Sequence, residues 1–364
     1  MERNVFLKFF EELEDPRLER TKKHPLISII TIGILGALSG IDSFQGLQDF
    51  AEAHEKSLKK IIDLPNGVPS HDTFGRVFSL IDVSTFHDCF CVFTNFLRDK
   101  TTGIIAIDGK TIRNKKVENP LHVVSAWSES NKLVLGQVRV NNKSNEITAI
   151  PEILDLIDVE DHIVTIDAMG CQKEIAKKII SKKGDYLLAL KNNQRNLSND
   201  VKAYFEDKEL LKQCSYWEEF DKGHGRIEKR QCWAISDISW LKKHYDWQDL
   251  RTISMVKCER TIKNKKSSDV RYYISSLPEN AEIICKAARM HWGIENKLHW
   301  TLDVVFNEDK SQIRKDNAPE IMAILRKWAI NLLNKTKGEK VSLKRAMAKC
   351  AMSFKYLLSV LEKI

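Results

Sequence analysis

Two stretches of this 364-residue chain deliver an acid from the end of an apolar run. "IIAIDGKTIR" (104–113) ends its run on Asp108, and "HIVTIDAMG" (162–170) ends its run on Asp167. One Asp holds a hard divalent cation poorly, because such cations take several oxygen ligands. Two parallel strands that each end in Asp would set both carboxylates on one sheet edge, where open sheets bind ligands. Mg²⁺ or Mn²⁺ suits such an all-oxygen set better than zinc. Asp-Gly between apolar stretches is also a hairpin-turn signal, so Asp108 by itself leaves both readings open. A third acid is expected from a helix over the same edge. "RMHWGIENKLHWTLDVVFNED" (289–309) supplies Glu295, Asp303, Glu308 and Asp309 among Arg289, His291, Lys297 and His299. His291, Glu295 and His299 are spaced by four and share a helix face. Asp303, about two turns beyond Glu295, is the reserve candidate for the third acid. Trp292 and Trp300 read as core residues.

The elements that must carry these groups follow from periodicity. Residues 1–98 read as helical: "NVFLKFFEELED" has helical apolar spacing and stops before Pro16. "PSHDTFGRVFSLID" offers Ser70 or Asp72 as an N-cap. From residue 104 the pattern becomes that of strands. "LHVVSAW" and "KLVLGQVRV" read as a hairpin around residues 128–131, "ITAIPEILDLI" as an amphipathic helix, "QKEIAKKIISKKG" as a helix closed by Gly184, and "DYLLALK" as a core strand. Three consecutive strands followed by helix, strand, helix, strand suit an α/β mixed sheet with flanking helices. Residues 212–276 read as a mainly β insertion, and from 279 onwards the chain reads as helical.

Composition bounds the alternatives. With 43% hydrophobic and 30% charged residues, the chain reads as a globular protein of two to three structural units. "LISIITIGILGALSGI" (26–41) is shorter than a span needs and reads as a buried helix, neither membrane anchor nor signal peptide. The eight Cys form no CxxC pair or zinc-finger spacing, which points to reduced thiols and a cytoplasmic protein with no membrane partner. Net charge is +8, and it is concentrated at the C-terminus. Residues 1–100 hold 12 Lys/Arg against 15 Asp/Glu, whereas residues 310–364 hold 13 against 4. A basic segment on a balanced protein suggests a polyanion such as nucleic acid, and equally fits a solvated helix face.

Five ordered blocks carry a resemblance: "AIDGKTIR", "TIDAMGCQKEIA", "DYLLALKNNQ", "GHGRIEKR" and "RMHWGIENKLHWTLDVVFNEDKSQIRKDNAPE". Over residues 5–335 the chain resembles the H-repeat-associated, ISAs-type group of bacterial DDE transposases. The resemblance implies an RNase H-like fold, with an N-terminal helical transposase-associated domain (1–98), a catalytic domain (99–335, its β-rich insertion at about 205–278) and a basic helical tail (336–364). It implies Asp108, Asp167 and Glu295 as catalytic, metal-holding acids for two Mg²⁺ or Mn²⁺ ions. The activity implied is cleavage of insertion-element ends and 3′-hydroxyl strand transfer. A nuclease without strand transfer and an inactive DNA-binding relic remain open. The wider superfamily often has Tyr, Arg and Lys where this chain has Ala288, His291 and Leu302, so the phosphate-binding groups are not fixed by motif. Candidates are Lys110, Arg113, Gln172, Lys191, Arg226, Arg289, His291, Lys297, His299, Arg314, Lys315, Arg326 and Lys327. The implied partners are double-stranded DNA, both terminal inverted repeats and target, and a second copy when ends are synapsed. The implied location is the bacterial nucleoid.

Overall fold

The computed structural model describes residues 8–10, 12–99, 101–113, 120–140, 145–223, 225–263 and 265–363. Much of the helix expected over residues 4–15 lies outside them, and the described part from 12 to 18 is turn and extended chain. Nine strands form one sheet: β1 (Gly103–Thr111), β2 (His122–Ser128), β3 (Leu133–Arg139), β4 (His162–Ile166), β5 (Asp185–Leu190), β6 (Ser215–Gly223), β7 (Arg226–Ile235), β8 (Thr252–Ile262) and β9 (Lys265–Ser275). Their spatial order is β3-β2-β1-β4-β5-β9-β8-β7-β6. β1, β4 and β5 run parallel and carry near-continuous apolar runs, as strands covered on both faces do. β2 and β3 fold back antiparallel, as the hairpin reading expects. The order β3-β2-β1-β4-β5 with β2 reversed is the RNase H-like mixed sheet.

Two local expectations are corrected. Asp108-Gly109 is not a turn: β1 runs through both, with Asp108 opposite Ser125 and Gly109 opposite Val124. Gly184 does not close its helix in the left-handed region; Lys183 takes that conformation, at φ 60°. Gly184 is needed instead for clearance, since a Cβ there would lie 2.8 Å from the Val159 carbonyl oxygen. The β-rich segment extends the central sheet, because β9 pairs antiparallel with β5 through Leu188 and Ile274.

Helices cover both faces. α1 (Leu26–Leu38) is almost wholly buried, α2 (Phe44–Ala53) is capped by Ser43, α3 (His71–Leu80) by Ser70, and α4 (Val83–Leu97) by Asp82. α5 (Glu146–Leu156) and α6 (Lys173–Ser181) follow β3 and β4, and α7 (Arg195–Glu206) follows β5. α8 (Ala281–Gly293) lies across β1 and β4 and also meets β6–β8. α9 (Ala318–Thr336) is the central C-terminal helix, followed by α10 (Leu343–Met352) and α11 (Phe354–Glu362). Among the described residues no single helix is long and apolar enough to cross a membrane.

Residues 1–98 do not own a separate core. α9 packs against α1, α3, α4 and β3 together. Trp328 of α9 stacks on Phe93 at 4.1 Å between centroids and on Phe10 at 5.1 Å. Stacked pairs like these bury large apolar areas and hold their geometry. The N-terminal helices are therefore the other half of α9's packing.

α9 also overturns two expected DNA contacts. Arg326 is 3% exposed and Lys327 0%, so neither can reach a phosphate. Arg326 Nη1 faces Glu308 Oε1 at 3.6 Å, and Lys327 donates to Gln137 Oε1 on β3. Burial pushes Lys327 down to about 8. Glu308 is itself fully buried and lies 3.2 Å from Lys110 Nζ. Sequence reads charge without reading depth, and here an amphipathic helix turns two cations inward to meet one anion.

Two outcomes follow. A fragment of residues 100–364 loses the cover of α9 and should show no cooperative thermal transition, unlike the full chain. Glu308→Ala strands two buried cations and should cost about 3–5 kcal/mol in urea unfolding, the range for breaking a buried pair from one side.

Candidate active site

The register of β1 and β4 sets the geometry. Ile107 pairs with Ile166, so the next residues, Asp108 and Asp167, stand side by side. Both are half-buried. Asp167 Oδ1 accepts from the backbone N–H of Met169 at 3.0 Å and of Gly170 at 3.3 Å, which fixes its carboxylate at the mouth of the loop. Glu295 comes from the continuation of α8. There the helix widens into a π-turn over Ile294–His299, where the Trp300 N–H reaches the Glu295 carbonyl. Single π-turns inside helices recur at functional sites. The helix then resumes over Trp300–Val304.

Sequence reasoning missed a fourth acid. Glu146 is the first residue of α5, capped by Asn145. Its Oε1 accepts from His122 Nε2 at 2.9 Å. Its only local signal is an acid in a helix's first turn, which is common and carries no hint of what lies opposite. The acids act on one another. Burial, then Glu295, Asp167 and Glu146, push Asp108 up to about 7. Burial also raises Glu295, against the pull of Arg271.

The proposed basic and polar contacts differ in exposure and in partners. Lys110 is buried and holds Asp303 at 2.7 Å, Glu308 at 3.2 Å and Asp309 at 3.2 Å, so it ties the chain after α8 to β1 and does not face a phosphate. That pairing also occupies Asp303, the reserve third acid. His291 contacts Thr165 Oγ1 at 3.1 Å, and burial pushes it down to about 4. His299 lies 3.6 Å from Asp108 Oδ2, and burial, then Lys110 and Lys327, push it down to about 3. Both histidines are neutral near pH 7 and supply no cationic contact. Arg289 pairs with Glu219 at 3.0 Å and with Asp221, and Lys297 pairs with Glu129. Gln172 stands at the N-cap position of α6 without a side-chain cap bond and donates to the Met169 carbonyl at 3.3 Å. Exposed positions are Arg113, whose N–H donates to Asp309, Lys191 where the chain leaves β5, Arg226 beside Glu228, and Arg314 and Lys315 beyond α8. Arg326 and Lys327 lie in the core.

A cleft of about 750 Å³ runs between α8 and the β6–β9 extension and reaches Glu295. Arg226, Arg230, Arg260, Arg271 and Arg289 line it. Arg271 sits 4.3 Å above the Trp292 ring, so Trp292 is a cation platform as well as a packed residue.

The donor set fits hard divalent cations. Its members are carboxylates at one sheet edge, and burial, followed by repulsion from the neighbouring acids, pushes Asp108 up to about 7. Among the described residues no three such side chains already converge on one ligating point. The fit therefore rests on donor chemistry and on the strand register.

Comparisons with known proteins bear on the family of the chain. A family model described as Transposase DDE domain matches residues 99–332, and one described as DDE_Tnp_1-associated matches residues 7–94. The chain is 40% identical to the H repeat-associated putative transposase YhhI of Escherichia coli (strain K12), over 99% of this chain and 98% of that one. It is likewise 40% identical to the putative transposase YncI of Escherichia coli O157:H7, over 98% of this chain and 94% of that one. A structure of the piggyBac transposase synaptic complex with hairpin DNA superposes with a TM-score of 0.48 at 14% identity, over 99% of this chain and 82% of that one. By the match across its catalytic segment and by relatives similar along nearly its whole length, the chain belongs to the family of DDE transposases.

Proposed function

We propose that this transposase cleaves the ends of its insertion element and joins the freed 3′-hydroxyl to target DNA, with Asp108, Asp167 and Glu295 as its metal-holding acids. The observation that carries the reading is the parallel pairing that sets Asp108 beside Asp167 under the π-turn bearing Glu295. The family is generally dependent on divalent metal, and we take Mg²⁺ or Mn²⁺, two ions per site, as the cofactor. Bound there, the pair would make a water or a 3′-hydroxyl nucleophilic and stabilise the leaving oxygen. The protein's part is to hold three acids rigidly while leaving the site open toward the arginine-lined cleft. The neutral His299 beside Asp108 adds no charge that would compete with a cation. The partners we propose are duplex DNA, terminal inverted repeats and target, bound by a homodimer at synapsis. The eight free cysteines suit the bacterial cytoplasm, where the protein would sit on the nucleoid.

Asp108→Asn, Asp167→Asn and Glu295→Gln should each abolish cleavage of an end-containing duplex in Mg²⁺, while gel-shift affinity stays close to wild type. Near-normal cleavage by any one would remove that residue from the set. A joining assay with pre-cleaved ends and a target plasmid separates transposition from hydrolysis: cut ends that never join would leave a nuclease.

Of the proposed DNA contacts, the exposed ones should control salt dependence. Each phosphate neutralised contributes about −0.9 to the slope of log K against log salt on duplex DNA. Replacing Arg226, Arg314 and Lys315 together by Ala should flatten that slope by about 2.7 and weaken binding to all sequences alike. An unchanged slope would mean that these side chains only solvate the surface.

A further inference from the structure

We propose that Glu146 is a fourth carboxylate of the active site, brought to the strand backbone by the absence of a side chain at Gly109 and aimed by His122. The inference rests on the metal-dependent reading above.

Strand alternation places Asp108 and Gly109 on opposite faces of the sheet. Asp108 faces α8, where His299 meets it. Gly109 faces α5, where the Glu146 carboxylate lies directly against the strand: a Cβ at 109 would collide with Glu146 Oε1 and Cδ, and would stand 3.0 Å from His122 Nε2. The bare backbone at 109 therefore leaves room for the acid to lie against the strand, with no turn and no left-handed φ involved. The acid reaches the strand at the peptide next to Asp108 without crossing the sheet.

The approach is held from behind. Thr111 and His122 are cross-strand partners on β1 and β2. Thr111 Oγ1 lies 2.6 Å from His122 Nδ1, and His122 Nε2 lies 2.9 Å from Glu146 Oε1. With Glu146 ionised, Nε2–H donates to it, which leaves Nδ1 to accept the Thr111 hydroxyl proton. The relay fixes the tautomer and occupies one carboxylate oxygen. Among the described residues no donor meets the other, Oε2. A histidine orienting a carboxylate from outside is how supporting groups set the aim of metal ligands.

The competing role is a staple between α5 and β2 that never meets a cation. Mn²⁺ binding to the full-length, DNA-free protein, read by electron paramagnetic resonance, separates the two without depending on turnover. Glu146→Gln keeps shape and hydrogen bonding and should weaken Mn²⁺ binding about tenfold or more, the scale seen when a metal site loses a supporting group. Gly109→Ala, which drives the carboxylate off the strand, should do the same. Glu146→Asp retains a carboxylate and should fall between wild type and Glu146→Gln, which guards against a trivial folding defect. Asp108→Asn is the reference. If it loses Mn²⁺ while Glu146→Gln binds like wild type, Glu146 is only a staple and the proposal fails. If Asp108→Asn also binds like wild type, the three-acid reading falls and this proposal falls with it.

Discussion

Two like charges forced together by a hydrogen-bonded ladder dominate this molecule. The parallel register of β1 and β4 leaves Asp108 and Asp167 no way to separate, because the strands beneath them are apolar and buried. Glu295 stands on the π-turn above them, and the fourth acid we propose, Glu146, comes from the opposite face. A site of this kind is unfavourable alone and becomes favourable only with a counter-charge, so the scaffold must be stiff enough to keep it assembled between binding events. The sheet supplies that stiffness by continuing, without a break, from β3 to β6.

A second set of charges lies behind the first and does the opposite work. Buried Glu308 meets Arg326 and Lys110, and Lys110 also holds the half-buried Asp303 and Asp309. Such networks contribute little net stability against an apolar core, but they penalise any arrangement that leaves a member unpaired. Here the penalised rearrangement would be slippage of the chain after α8 relative to β1. The network thus fixes where the π-turn sits without taking part in chemistry.

The sequence made much of this legible where the signal is local. Apolar runs ending in acid, the hairpin over residues 121–140 and the cap at Ser70 are short-range patterns, and the structure places them as read. Long-range facts were not accessible. Nothing in the apolar pattern of α9 says that its neighbours are α1, α3 and α4, so residues 1–98 looked self-contained. Arg326 and Lys327 looked like surface cations because nothing local shows that Glu308 and Gln137 meet them in the core. The Asp-Gly pair by itself left turn and strand both open, and nothing local to Gly109 signals that Glu146, distant in sequence, lies against it.

The π-turn has a consequence for the length of the chain. In an α-helix each residue advances the side-chain direction by about 100°. A π-turn is in effect one residue more than the α repeat can use, held in place by packing on either side. Before it, Ile284, Ala287 and Ala288 are buried; within it, Ile294 and Leu298 are; after it, Leu302 is. Loops of this protein can gain or lose a residue at modest cost, but the segment 294–299 cannot. Removing one residue there would let the helix relax to ordinary winding and rotate everything downstream out of phase, carrying Asp303 away from Lys110 while Glu295 stayed behind. The extra residue acts as a phase adjustment between two halves of one helix, one half seated on the extended sheet and the other locked to β1.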